Sequence, residues 1–64
     1  MKVSAKEFKA FQRMRKEWPS ENEAYNLQTF GITKARFYEI HKIAADQVGP
    51  SFVGSITLRE INHA

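Results

Sequence analysis

Large apolar residues recur along the chain at helical spacing, and glycine or proline interrupts them at four places. At 100° per residue Phe8, Phe11, Met14 and Trp18 share one side, which predicts a first helix from about Lys6 to Glu17 with that side inward. Pro19 disfavours helix at the residue before it, so Trp18 ends the segment. A second helix is expected from after Ser20 to about Thr29, with Ala24, Leu27 and Phe30 inward. A third is expected from after Thr33 to about Gln47. Its inward positions Phe37, Ile40, Ala44 and Val48 are spaced three, four and four apart, as an amphipathic helix requires. Gly49 then offers a left-handed cap and Pro50 prevents continuation.

Three capping boxes are written into the sequence: Ser4 with Glu7, Ser20 with Glu23, and Thr57 with Glu60. In each, a hydroxyl three positions before a carboxylate can satisfy free backbone N–H groups at a helix start. The tail is ambiguous. Residues 51–53 and 56–58 could pair as a small wing hairpin across Gly54-Ser55, or the segment could be a loop followed by a short helix from Thr57. The third capping box favours the helix.

Sixty-four residues make one domain with a modest core. There is no cysteine, and His41 and His63 stand far apart without further ligands at metal-binding spacing, so neither a metal nor another cofactor is expected. A nucleophile–base pair at recognisable spacing and a glycine-rich phosphate loop are both missing, and the Glu21/Glu23 pair is explained by a helix start; an enzyme is not expected. The first residues are charged where a signal peptide would be apolar, and no run reaches membrane-spanning length. The expectation is a soluble cytoplasmic protein. Charge is uneven: six cations against Glu7 give residues 1–16 a net +5, and the rest carries −2. Lys2, Lys6, Lys9, Arg13 and Lys16 fall within an arc of about 80° opposite the apolar side. A polyanion would meet this stripe first.

The stretch from Thr29 to Lys42, TFGITKARFYEIHK, carries the functional expectation. A sharp corner between two helices usually needs a residue that tolerates positive φ, and Gly31 supplies one. Phe30 and Ile32 would tuck beneath the corner, and Thr33 stands where an N-cap would start the next helix. Residues 21–44 resemble the bacterial helix-turn-helix family, and Phe30–Ala44 in particular looks like the promoter-reading segment of sigma factors. Two positions depart from that pattern: Leu27 replaces a small residue and Asn26 an apolar one, with Ala24 left to supply the close helix contact.

The resemblance implies an all-α, three-helix helix-turn-helix domain spanning the chain, the motif over about 20–47 and a tail over 50–64. It implies a small sequence-specific DNA-binding transcriptional regulator, working in a bacterial host cell. The size and motif are similar to those of small phage and mobile-element regulators. The third helix would lie in the major groove, presenting Thr33, Lys34, Ala35, Tyr38, Glu39 and Lys42 with Arg36 on the flank. Lys2, Lys6, Lys9, Arg13 and Lys16 would hold phosphates of the double-stranded DNA. One such domain covers a half-site, so a homodimer or cooperative assembly is expected, with Phe52, Val53, Ile56, Leu58 and Ile61 of the tail as its surface. The alternative is a helical protein-interaction module, such as a phage-encoded inhibitor of a host enzyme or polymerase, in which Tyr38, Glu39 and Lys42 meet protein.

Overall fold

Every element among the described residues is helical. The structure is a computed structural model that describes residues 2–63. Helix α1 is Ala5–Glu17, α2 is Glu23–Thr29 and α3 is Lys34–Val48; a 3-10 helix, Pro50–Ser55, and a short α4, Leu58–Ile61, follow. Helix α3 is central, packing against α1 on one flank and against the 3-10 helix and α4 on another.

Local chemistry starts α1 as the sequence predicts. Ser4 Oγ accepts from the Glu7 N–H at 3.1 Å, and the Glu7 carboxylate accepts from the Ser4 N–H at 3.2 Å. Phe8, Ala10, Phe11 and Met14 are buried. The helix stops at Trp18, whose φ of 63° is a left-handed value that a tryptophan rarely adopts. Trp18 was expected inside with the other three; it is half-exposed, its ring meeting Phe37 in a T-shaped contact at 5.5 Å and tilted against His41 at 6.0 Å. The turn that Pro19 imposes holds the indole at the rim of the core.

The second helix differs from its reading in three ways. Its N-cap is Asn22, whose side chain accepts from the Tyr25 N–H, so the Ser20–Glu23 box does not form. The reason is Asn26. It is fully buried, and its amide grips the backbone of Ser20, accepting from the N–H at 2.8 Å and donating to the C=O at 2.9 Å. That grip draws Ser20 out of the helix start and turns α2 so that Asn26 and Phe30 face inward. Ala24 and Leu27, expected inside, are exposed.

Gly31 breaks the chain between α2 and α3 at φ 94°. A Cβ there would meet nothing within 4 Å, so the constraint is conformational rather than steric crowding. Gly31→Ala is expected to cost about 1–2 kcal/mol from that strain alone, read as a lower urea midpoint with unchanged helical circular dichroism. Thr33 then caps α3, its hydroxyl accepting from the Arg36 N–H at 3.1 Å. Phe37, Ile40 and Ala44 are fully buried; Val48 is half-buried at the edge of the core. Each fully buried large side chain contributes about 1.5–3 kcal/mol. Gly49 ends α3 at φ 94°.

The tail contains no strand among the described residues, so the wing hairpin is replaced by the 3-10 helix. Pro50 at its first turn suits a helical start, and the Phe52 N–H closes onto the Gly49 carbonyl at 3.0 Å. Thr57 and Glu60 form both halves of their capping box. Val53, Ile56 and Ile61 are consumed by the core of the monomer, Leu58 is half-buried, and Phe52 stays exposed. A second asparagine completes the fold: Asn62 accepts from the Val3 N–H at 2.7 Å and donates to its C=O at 2.8 Å, tying the two ends of the chain together.

Candidate nucleic-acid interface

The outer face of α3 opposes its buried residues. Ala35, Tyr38, Glu39 and Lys42 are exposed on it, with Thr33 and Lys34 half-buried at its beginning. Their placement follows from the three-four spacing of Phe37, Ile40 and Ala44, which commits the opposite arc to solvent. Tyr38 meets Phe37 in a T-shaped ring contact at 5.2 Å and stays about half exposed.

Arg36 is built into the fold. Its guanidinium donates to the Glu7 carboxylate of α1 at 2.8 and 3.1 Å, to Glu39 one turn along α3, and to the Lys2 carbonyl at 3.3 Å. Only 19% of the side chain is exposed. The hydrogen bond from Arg36, followed by that from the Ser4 N–H, holds the Glu7 carboxyl down at about 2. The same pairing raises the Arg36 pKa further above its ordinary value. Arg36 therefore clamps the first turn of α1 to α3, and reaching a base would mean surrendering those bonds.

The N-terminal end of α3 carries acid. The Glu23 carboxylate reaches across from α2 and accepts from the Lys34 N–H at 3.0 and 3.2 Å, where the free N–H groups and helix dipole favour negative charge. Hydrogen bonds from the Asn26 side chain, first, and from the Lys34 N–H lower the Glu23 pKa. Lys34 Nζ turns to Glu21 at 3.3 Å, an exposed pair worth little to stability. Two carboxylates thus occupy the end of α3 at which base contacts were expected.

The cations of α1 form a separate surface. Lys2, Lys6, Lys9, Arg13 and Lys16 are all exposed, and none pairs with a carboxylate among the described residues. Arg13 lies over the Phe30 ring at 5.7 Å, bracing the stripe against the end of α2. The inner side of α1 rests on α3 through Phe11 and Trp18, both against Phe37. The stripe is centred roughly opposite that side, and the outer face of α3 is turned away from α1. The two residue sets assigned to DNA meet where Arg36 donates to the Lys2 carbonyl, while the helical period directs Lys6, Lys9, Arg13 and Lys16 away from the side of α1 that rests on α3.

Sequence reasoning missed Asn26, Glu23 and Asn62. Asn26 stands where the helix-turn-helix pattern has an apolar residue, which was the available signal; the partners of Glu23 and Asn62 lie 11 and 59 residues away, beyond any local pattern. No group of three or more His, Cys, Asp or Glu among the described residues could hold a metal, and no described helix is long and apolar enough to cross a membrane. No family model, curated protein or solved structure matches the chain.

Proposed function

We propose that the protein is a helix-turn-helix DNA-binding regulator in which α2 and α3 form the motif and the outer face of α3 enters the major groove. One observation carries the reading: the chain breaks at Gly31, and a Thr33-capped α3 follows with Ala35, Tyr38, Glu39 and Lys42 exposed together. Lys42 supplies a donor to guanine or phosphate, Tyr38 a hydroxyl to phosphate, Glu39 an acceptor for cytosine N4, and Ala35 a small surface for a thymine methyl. The carboxylates of Glu21 and Glu23 push phosphate away from the first turn of α3, so the contact centres on the middle of the helix.

A second reading has its own support. The same acidic end, with half-exposed Trp18 and Tyr38 each packed against Phe37, suits a protein partner with a basic, apolar-rimmed surface. Selection from random duplex DNA at two salt concentrations separates the readings. Enrichment of one site, with Lys42→Ala and Tyr38→Phe each weakening it about tenfold and leaving thermal stability unchanged, is the expected outcome. Failure to shift any duplex at low salt favours the protein-interaction module.

A further inference from the structure

We propose that the α1 stripe is a second duplex-binding surface, so that one molecule bridges two DNA segments; the inference rests on the reading of α3 as the first. Its basis is the disposition of charge. Lys6, Lys9, Arg13 and Lys16 line about 15 Å of α1, with Lys2 just before the helix. A duplex presents about nine phosphate charges over that length. Helical repetition every three or four residues sets the cations in a row; all are exposed, with Arg13 also resting over the Phe30 ring.

The acidic residues are distributed so that this row stays unneutralised. Glu7 is held by Arg36, Glu21 by Lys34, Glu23 by the start of α3 and Glu60 by Thr57. Glu17 lies at the flank of the stripe, near the end of α1. Uniformly solvated charge would alternate in sign; here one sign is collected on one face. Lysine point charges on flexible stems dominate that face, and its one arginine is braced over Phe30, which suits backbone phosphates of any sequence.

Orientation makes it a second site rather than an extension of the first. Phe11 and Trp18 turn the inner side of α1 to Phe37, so the helical period places Lys6, Lys9, Arg13 and Lys16 away from α3, and Ala35, Tyr38 and Lys42 away from α1, while the Lys2 carbonyl adjoins Arg36. A short duplex seated in one direction leaves the other surface in solvent, since DNA holds its direction over about 150 base pairs. Bridging is the arrangement that satisfies both surfaces.

The test uses two duplexes of about 15 base pairs, too short to wrap around the protein. One is biotinylated and bears the selected site; the other is fluorescent and of unrelated sequence. The full chain is expected to retain the fluorescent duplex on streptavidin, with retention falling on the order of a hundredfold between about 50 and about 200 mM salt for four phosphate contacts. The triple variant K6Q/K9Q/K16Q is expected to lose retention at least tenfold while its affinity for the biotinylated duplex alone changes less than threefold. Three outcomes overturn the proposal: capture of the site duplex without bridging, an equal loss of both activities in the triple variant, or undiminished bridging by that variant, which would mean a dimer bridging through two α3 faces. Failure of the unaltered chain to bind either duplex would instead sink the reading of α3, and this inference with it.

Discussion

Replacing Asn26 with leucine is expected to lower stability by about 2–3 kcal/mol, although leucine is nearly isosteric and more apolar. The amide satisfies the Ser20 N–H and C=O at 2.8 and 2.9 Å and donates to the exposed Glu23 carboxylate at 2.6 Å, so its loss strands both backbone groups of Ser20 and releases Glu23. Unpaired groups away from water cost more than their bonds contributed, and the apolar gain from leucine offsets only part of this. For a domain of this size the shift in Tm is on the order of 10–20 °C. Loosening should not stop at the loop. Asn26 also orients the Glu23 carboxylate that caps α3, so faster amide hydrogen exchange is expected at both Ser20 and Lys34. A leucine variant as stable as the parent would show that packing, and not this hub, holds α2 in place.

Arg36→Met is expected to destabilise the protein by about 1–3 kcal/mol at neutral pH, the range for a hydrogen-bonded charge with little access to water. The pH dependence identifies the cause. The Glu7 carboxyl is held at about 2 against an ordinary 4.5, so its contribution is complete above 4.5 and is lost as pH falls from there toward 2. A third of the Glu7 side chain meets water, so the loss over that window is on the order of 1–2 kcal/mol rather than the full shift. In Arg36→Met this part of the acid sensitivity should largely vanish, which urea titrations at pH 7, 4 and 2.5 would measure. An unchanged acid profile would place the sensitivity elsewhere. The contrast with Lys42→Ala matters functionally: weaker DNA binding in an Arg36 variant must first be corrected for fold stability.

Much of α1 and α3 was legible because their instructions are local. The Ser4–Glu7 and Thr57–Glu60 boxes, the Thr33 cap and the positive φ at Gly31 each involve residues within a turn of one another. The inward series of Phe37, Ile40 and Ala44 likewise follows from the helical period alone. Helix α2 defeated the same logic. At seven residues it has little periodic signal, and a polar residue took the inward place that Ala24 and Leu27 were expected to hold. The tail resisted for a related reason, since residues 51–58 alternate well enough for a strand while Pro50 and core packing of Val53 and Ile56 wind them into helix.

The candidate interface divided along the same line. The outer arc of α3 and the cationic arc of α1 could both be drawn from the sequence, because exposure on an amphipathic helix mirrors burial on its other side. Their mutual direction could not, since it depends on how α1 lies across Phe37. Nor could the part played by Arg36, a residue of the outer series whose long side chain swings to a carboxylate 29 positions away. By itself the sequence determined α1 and α3, their ends and, Trp18 apart, which of the large apolar residues on them are turned inward, all matters of spacing and capping within a few residues. Tertiary structure alone decided which charges are spent inside the fold and which remain for a partner, because that depends on distances between helices that no local pattern encodes.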